Sequence, residues 1–429
     1  MKEATLTLPL GNGIFKNYHD NNNLIEAYNF VIDVNGGLIC YDTLDREVKF
    51  IGDNTAVFDT AYGEVEIKKH KIVFDGIEYD ADMSAIMYPT DLISFFCIAG
   101  YPSYALNDKG LVTTALPQCR SFASYKGQLL AGGLLDAETK GIVAWSKIGT
   151  IDFTIDGTNT AGVIDLAPIA GRVEKIGTLG NSVIAYCENG IVVLKPSGNG
   201  FGVDYVMYYN GVKTGNHVCC TDEAHLFVLD NKYAHIIKNN PIKGIEILPL
   251  GNMYFGDGVK RVHFDARNKL FCIERDRITF LVDLQGRLTA TNLVSAIGSI
   301  TNSTIYLHND CQIDRAFKDS SFLVSFGDFG IRANKTLTMV QTIGGEIDIP
   351  TVSYVTCLDE RLNQHKVDYK ITKQGVAYIA IYGVSFCNYM RFNSHKKINI
   401  QALAVSIKQT DKRSIRGSYA PTNNTGSTG

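Results

Sequence analysis

The chain consists of short apolar segments separated by dipeptides that favour tight turns. Asn-Gly or Asp-Gly pairs begin at positions 12, 35, 75, 156, 189, 199, 210 and 257. Such pairs supply the positive φ angles that two-residue hairpin turns require. Residues 72–79 and 185–193 each place an apolar strand on either side of such a pair. Because we find no convincing amphipathic helix with caps, we predict an all-β fold.

One unit of this pattern recurs along the chain. It begins as KGQLLAG at residue 126 and returns at residues 180, 223, 267 and 302 as strand, polar turn, apolar strand, short charged turn and strand. Its equivalent positions, spaced by 54, 43, 44 and 35 residues, are Leu129, Val183, Leu226, Leu270 and Ile305. One four-stranded blade of a β-propeller takes about 40 to 50 residues. The repeat therefore predicts a β-propeller, and candidate earlier copies at residues 36, 70 and 94 give it six or seven blades.

The pattern changes towards both ends of the chain. Residues 1–25 are rich in Asn, Gly and Leu and predict an extended N-terminal arm, followed by the propeller over residues 26–320. Longer apolar segments at 337–340, 352–358, 376–381 and 398–407 predict a C-terminal β-sandwich over residues 321–408. Residues 409–429 begin basic and end rich in Ser, Thr, Asn and Gly, which indicates a flexible tail or an assembly arm.

Composition excludes several classes of protein. The N-terminal residues lack the apolar run of a secretory signal, and the longest uncharged segments are too short or too polar to span a bilayer. None of the ten cysteines forms a C-x-x-C motif, so we expect reduced core residues in a cytoplasmic environment. A net charge of −3 argues against a surface that binds nucleic acid all over.

The motifs of common enzymes are missing from the sequence. There is no P-loop, nucleophile elbow, zinc-binding helix or dinucleotide fingerprint, and the nine histidines are scattered. Asp80, Asp82 and Ser84 resemble the start of a calcium loop, but Ala85 stands where such a loop needs glycine. We therefore predict no catalytic residue, no cofactor, no metal site and no enzymatic activity.

Three sets of residues allow more than one interpretation. A propeller glycosidase needs two facing carboxylates, and no spacing selects a pair among Asp42, Asp257, Asp265 and Glu274. Trp145, the single tryptophan, could stack on a sugar, but its apolar strand favours a core position. A basic group near the C-terminus consists of Lys396, Lys397, Lys408, Lys412, Arg413 and Arg416. It could form an assembly interface, contact nucleic acid or be a solvated edge strand and tail.

Three passages carry a resemblance to a known family. EAYNF at residues 26–30 precedes GGL at 36–38, and RSFASYKGQLLAG at 120–132 precedes AWSKIGTIDF at 144–153. YMRF at residues 389–392 precedes the apolar segment 398–407. Together these passages resemble the nozzle-like β-propeller adaptor proteins of the head-to-tail junction or tail hub of tailed bacteriophages.

The resemblance implies a virion structural protein of the tail or neck, assembled in the cytoplasm of the host bacterium. Members of this family form rings, usually hexamers, around the DNA channel and help to retain and eject the genome. The implied partners are further copies of the chain, portal or adaptor proteins and tail components, with nonspecific DNA contact in the channel and no membrane.

Two other functions stay open at this point. A carbohydrate- or receptor-binding propeller at the tail tip would use aromatic platforms such as Tyr101, Tyr104, Tyr208 and Tyr209. A propeller-type glycoside hydrolase would use two of the acids named above.

Overall fold

The structure is a computed structural model of the chain. It describes residues 3–11, 13–14, 23–41, 47–50, 54–60, 62–68, 71–80, 94–96, 103–107, 109–114, 116–135, 138–157, 160–198, 200–230, 232–250, 255, 258–265, 268–275, 278–291, 304–307, 319–327, 335–344, 352–358, 364–367, 370–371, 376–383, 385–393 and 399–409. The chain divides into two compact units. The sandwich unit comprises Met1–Tyr41 and Lys318–Gly429, and the propeller unit comprises Asp42–Phe317.

The propeller unit is built from short strands, numbered here in chain order through the whole protein. They are β5 (Glu47–Phe50), β6 (Asn54–Thr60), β7 (Gly63–Lys68), β8 (Lys71–Phe74), β9 (Ile77–Asp80), β10 (Ser94–Phe96), β11 (Ser103–Asn107), β12 (Gly110–Thr114), β13 (Cys119–Tyr125), β14 (Gln128–Leu134), β15 (Ile142–Trp145), β16 (Gly162–Asp165), β17 (Val173–Leu179), β18 (Ser182–Cys187), β19 (Ile191–Ser197), β20 (Gly200–Tyr208), β21 (Val218–Cys220), β22 (Ala224–Leu229), β23 (Tyr233–Asn240), β24 (Gly244–Pro249), β25 (Arg261–Asp265), β26 (Leu270–Glu274), β27 (Thr279–Asp283), β28 (Leu288–Thr291) and β29 (Thr304–Leu307). A single helical turn, α1 (Ala167–Ala170), precedes β17, and a 3₁₀ turn, Gly215–His217, precedes β21.

These strands pair in sequence order as antiparallel meanders. Four-stranded meanders are formed by β6–β9, β13–β16, β17–β20, β21–β24 and β25–β28, and a three-stranded one by β10–β12. β5 pairs in parallel with β29, which brings the beginning and the end of the unit together. Consecutive four-stranded meanders are the blades of a β-propeller, so the predicted fold class is confirmed. Six meanders in the described part of the unit agree with the predicted six or seven blades.

The predicted repeat corresponds to one structural position in four of its five copies. Leu129, Val183, Leu226 and Leu270 lie on the second strand of the third to sixth meanders, and all four are buried. Ile305 lies on β29, which pairs with β5, and not within one of the described meanders. The repeat was visible because the second strand of a blade is covered on both faces, which requires a continuous apolar segment.

Neighbouring blades pack face to face and join through their first strands. One core cluster unites Leu130 and Val143 of the third meander with Val183 and Val192 of the fourth. The hydroxyl of Ser121, on β13, accepts a hydrogen bond from the backbone N–H of Ile176, on β17, at 3.0 Å. The first strands β13, β17, β21 and β25 contact one another in this order. They are therefore the inner strands of the propeller.

The sandwich unit combines strands from both ends of the chain. They are β1 (Glu3–Pro9), β2 (Asn23–Tyr28), β3 (Phe30–Ile32), β4 (Leu38–Cys40), β30 (Asp319–Gly327), β31 (Lys335–Ile343), β32 (Val352–Leu358), β33 (Gln364–Val367), β34 (Lys370–Ile371), β35 (Val376–Gly383), β36 (Ser385–Asn393), β37 (Asn399–Ile400) and β38 (Ala402–Gln409). One sheet has the order β1-β38-β31-β35-β34, and in a second β2, β30, β36, β32 and β33 are neighbours. A small sheet has the order β3-β4-β37.

The core of the sandwich unit lies between these sheets. Leu8 of β1, Leu24 of β2 and Phe322 of β30 are buried in it together with Val340 and Val405. Thr5 and Ser406, on the paired strands β1 and β38, share a hydrogen bond of 2.9 Å between their hydroxyl groups. The predicted C-terminal β-sandwich is confirmed, and it includes the N-terminal strands.

The predicted N-terminal arm and the predicted start of the propeller are therefore wrong. Within residues 1–25, β1 pairs along its full length with β38, because Leu6, Leu8 and Leu10 point into the sandwich core. Residues 26–41 belong to the same unit, so the candidate repeat at residue 36 is strand β4 of the sandwich and not a blade. Of the predicted C-terminal tail, Gln409 ends β38, and residues 410–429 lie outside the described residues.

Candidate functional site

Of the six basic residues predicted to form an assembly interface, the structure describes Lys408. It is half-buried near the end of β38, opposite Glu3 on β1 and Thr336 on β31. The other five lie outside the described residues. Lys408 therefore sits inside a sheet with paired neighbours on both sides, and the predicted basic interface stays a prediction.

A different surface is formed by the last strands of the propeller blades. In five of the six meanders that the structure describes, the last strand is an edge of its sheet and carries apolar side chains between 38% and 56% exposed. We call these side chains the outer row, and they are Ile77, Val112, Val163, Val203, Tyr205 and Ile247. The last strand of the sixth meander, β28, is by contrast buried along its whole length.

The chemistry of the outer row suits contact with another protein surface. An edge strand presents unpaired backbone N–H and C=O groups, and proteins usually protect it with charges, proline or bulges. β20 has two register shifts and a Lys195–Asp204 ion pair of 2.7 Å, whereas β24 pairs with β23 without a shift and exposes Ile247. Apolar and aromatic side chains on such edges can bury against a partner.

Trp145 is part of the propeller core. Its side chain is 5% exposed and packs edge to face on Phe201, with ring centroids 5.2 Å apart. The ring fits because Gly162 and Gly200 have no side chain, since a Cβ atom at either would lie 2.6 Å or less from it. The predicted core position is confirmed, and Trp145 does not provide an exposed platform for a sugar.

The loop that follows Trp145 is held by buried polar groups. The Ser146 hydroxyl accepts the N–H of Leu129 at 2.9 Å and donates towards the carbonyl of Thr150 at 2.8 Å. The Gln128 amide donates to the carbonyl of Ser146 at 2.8 Å. Lys147 forms an ion pair with Asp152 at 2.7 Å, and this hydrogen bond lowers the pKa of the Asp152 carboxyl. Residues 146–153, which belong to one of the segments that resemble the phage proteins, therefore form an ordered loop.

Of the four acids considered for glycoside hydrolysis, the two that the structure describes do not face each other. Asp265 lies opposite Leu270 and Glu274 opposite Arg261, at the two ends of the β25–β26 ladder. Four residue steps along a strand correspond to about 13 Å, which exceeds the separation in both glycosidase mechanisms. Glu274 is paired with Arg261 at 2.9 Å. The other two acids, Asp42 and Asp257, lie outside the described residues.

A buried histidine joins the fourth and fifth blades. The Nε2–H group of His225 donates to the carbonyl of Thr178 at 2.9 Å, so its Nδ1 atom accepts the hydroxyl of Tyr186 at 2.8 Å. Both rings are fully buried. The pKa of His225 is lowered to about 4, chiefly by burial, which outweighs the opposing effect of the Thr178 hydrogen bond and is reinforced by the charge of Lys175. His225 is therefore a neutral structural residue.

The tyrosines considered as sugar platforms differ in exposure. Tyr104 is buried and donates to the carbonyl of Asp80 at 3.1 Å, so its predicted exposure is wrong. Tyr208 is half-buried against Phe227, whereas Tyr209 is 83% exposed. Tyr101 lies outside the described residues.

The described part of the chain contains neither a metal-binding cluster nor a membrane-spanning helix. Within these residues no group of three or more His, Cys, Asp or Glu side chains could hold a metal ion. No helix among them is long and apolar enough to cross a membrane. The calcium-like residues Asp82, Ser84 and Ala85 fall outside the described ranges.

Sequence reasoning missed the outer row. Its members stand singly in short strands, as in GVID around Val163 and GIEILP around Ile247, and resemble the inward-facing residues of any half-exposed strand. Only the position of the strand at an edge of its sheet reveals that they face outwards.

Comparisons with known proteins find structural likeness only. Neither the family models nor the curated proteins that were searched match the chain. Among solved structures, the chain is similar to the Pan2 WD40 domain of Neurospora crassa, with 8% identity and a TM-score of 0.36 over 63% of this chain and 86% of that chain. It is similar to BamB of Moraxella catarrhalis, with 10% identity and a TM-score of 0.35 over 76% and 93%. It is also similar to a functionally unknown protein of Desulfotomaculum acetoxidans DSM 771, with 13% identity and a TM-score of 0.36 over 64% of this chain and 96% of that chain. At these TM-scores the likenesses carry no argument, and the fold rests on the pairing of the strands.

Proposed function

We propose that this chain is a structural protein of a bacteriophage virion, at the head-to-tail junction or tail hub, where copies form a ring around the DNA channel. In this role the protein helps to retain and eject the genome. Its partners are further copies of itself, favoured as a hexamer, together with portal or adaptor proteins and tail components. It acts through assembly and without enzymatic activity.

The observation that carries the proposal is the outer row. Five blade edges in the described part of the propeller present partly exposed apolar side chains beside unpaired backbone groups. Burying such edges against neighbouring copies satisfies the backbone groups and removes apolar surface from water. The sequence resemblance to phage adaptor proteins supports the identity of the assembly.

The assembly is tested with purified protein by sedimentation velocity. We expect the native chain to form a discrete oligomer and the Val163→Lys/Tyr205→Lys variant to form a smaller species, because two charges then face the contact. Ile242→Lys is the matched control, since Ile242 is 94% exposed in the turn before β24 and lies outside the outer row. A native chain that stays monomeric, or a double variant that assembles as the native chain does, would contradict the proposal.

The virion role needs a test in particles. In a phage that carries this gene, electron microscopy should locate the protein as a ring between head and tail, and particles that lack it should lose packaged DNA. A chain that ends at Asp411 should fold normally and enter particles less efficiently, because the predicted assembly arm is removed. Particles that assemble and keep their DNA without the protein would refute the role.

A second function, carbohydrate or receptor binding, is favoured by one observation. Tyr209 is 83% exposed, and an exposed aromatic ring can stack on a sugar. A glycan array on the native chain and on Tyr209→Ala tests this function. If the protein binds sugars through Tyr209, the native chain should bind glycans on the array that the variant does not bind. An array to which the native chain binds no glycan excludes carbohydrate binding.

A further inference from the structure

One carboxylate of the propeller unit is buried between two arginines. The side chain of Glu174, on inner strand β17, is 2% exposed. Its Oε2 atom accepts a hydrogen bond from Nη1 of Arg120, on inner strand β13, at 3.1 Å. Its Oε1 atom accepts a hydrogen bond from Nε of Arg172 at 2.5 Å. Because the two oxygens of one carboxylate hold them, the two guanidinium groups lie side by side.

Hydrogen bonds fix the backbone at Arg172, and a close contact with Gly133 restricts the side chain of Arg120. The carbonyl of Arg172 accepts the N–H of Glu188 at 2.8 Å, and the N–H of the following Val173 donates to the carbonyl of Lys140 at 2.9 Å. Arg120 passes Gly133, where a Cβ atom would lie 3.2 Å from its Cδ atom and 2.2 Å from the carbonyl oxygen of Val173. The ion pairs with Glu174 and these contacts therefore position the two guanidinium groups.

Most of the donors of these two groups are not used by Glu174. A guanidinium has five N–H donors, and Glu174 accepts one from each arginine. The Nε atom of Arg120 is buried without a hydrogen-bond partner. About a third of each arginine side chain is exposed, 33% for Arg120 and 31% for Arg172. Glu188, which is half exposed, comes only to 4.0 Å of Arg172. Unused donors therefore face solvent from two adjacent groups.

The cluster lies at one end of the inner strands. Arg120 and Glu174 are the second residues of β13 and β17. The next inner strands start at the same end, because Lys175 donates to the carbonyl of Val218 at 2.8 Å and His217 to that of Val259 at 3.1 Å. Inner strands surround the central channel of a propeller. The two arginines therefore stand at a mouth of this channel.

We propose that Arg120 and Arg172 form a clamp for a phosphate group of the nucleic-acid backbone at this mouth. Guanidinium forks match the geometry of phosphate oxygens and form short, charge-assisted hydrogen bonds with them. A clamp that is already positioned loses little entropy when it binds. The inference deepens the proposed function, on which it rests for nucleic acid as the source of the phosphate.

The clamp is tested by fluorescence anisotropy of a labelled DNA duplex at several salt concentrations. We expect weak, salt-dependent binding by the native chain and a smaller salt slope for Arg172→Gln, by about 1. A slope difference of 1 reduces the gain in affinity between roughly 200 and 50 mM salt by about fourfold. Lys243→Gln removes the same charge from the exposed β23–β24 turn and should match the native chain. No duplex binding, or equal slopes for the two variants, would overturn the clamp.

A measurement on the native chain covers the case in which Arg172→Gln fails to fold. Phenylglyoxal modifies accessible arginines, and mass spectrometry locates the modified residues. The DNA duplex should protect Arg120 and Arg172 from modification, whereas inorganic phosphate alone should protect them only weakly. Protection by phosphate without protection by DNA would overturn nucleic acid as the source. If the native chain did not form a ring but DNA still protected the two arginines, the proposed function would be refuted and the phosphate clamp would be retained.

Discussion

Acidification should loosen the contact between the fourth and fifth blades through His225. In the neutral state its Nδ1 atom accepts the hydroxyl of Tyr186. A protonated ring carries a hydrogen on Nδ1 and can no longer accept, and it places a charge where both rings are fully buried. The folded protein therefore binds this proton less readily than the unfolded chain, so stability is full above the unfolded pKa and is lost as the pH falls.

The magnitude follows from the two pKa values. Burial lowers the pKa of His225 in the folded protein to about 4, against 6.5 for the ordinary side chain. The free energy of unfolding then falls between pH 6.5 and pH 4 by up to about 1.4 kcal/mol per pH unit. Between pH 7.5 and pH 4.5 the loss from this residue is about 2–3 kcal/mol. Burial also lowers the pKa values of His217, His235 and His263, and these residues add equally to the slope with or without His225.

Urea unfolding of the native chain and of Tyr186→Phe/His225→Leu between pH 7.5 and pH 4.5 separates this contribution. The variant removes both polar partners and leaves the Thr178 carbonyl without this donor, which is a cost that does not change with pH. The fluorescence of Trp145, the single tryptophan, reports unfolding of the same unit. The native chain should lose about 2–3 kcal/mol more than the variant over this range. If the stabilities of the two proteins fell in parallel with pH, His225 would not be the source of the acid sensitivity.

Three further changes test the packing of the propeller unit. Gly177→Ala should lower the free energy of unfolding in urea by about 1–3 kcal/mol, because the new Cβ atom would lie 2.4 Å from Sγ of Cys220. Gly202→Ala is the control, since a Cβ atom there meets nothing closer than 3.4 Å. Trp145→Ala should lower the free energy of unfolding by about 3–5 kcal/mol, measured by circular dichroism, because the ring is 5% exposed. Ser146→Ala should lower the free energy of unfolding by about 1–3 kcal/mol, because the N–H of Leu129 loses its acceptor. Hydrogen exchange of the Leu129 amide should become faster. Unchanged stability in any of the three would show that the site relaxes around the change.

The type of fold follows from local patterns along the chain. Turn dipeptides and apolar segments such as those around Val183 and Leu226 impose strands locally, because the second strand of a blade must be apolar on both faces. Their recurrence predicted a propeller, and the position of Trp145 in an apolar strand predicted burial. These properties depend on residues close in the chain, so a linear pattern carries them.

The pairing of strands that are distant in the chain could be read only from the folded structure. β1 pairs with β38, about 400 residues away, and nothing in either strand's sequence specifies its partner. Whether Val163 faces a core or solvent depends on its strand being at a sheet edge. Arg120, Arg172 and Glu174 come together because two inner strands start side by side. Pairing and proximity between distant segments are set by the packing of the whole sheet arrangement, which local preferences do not specify.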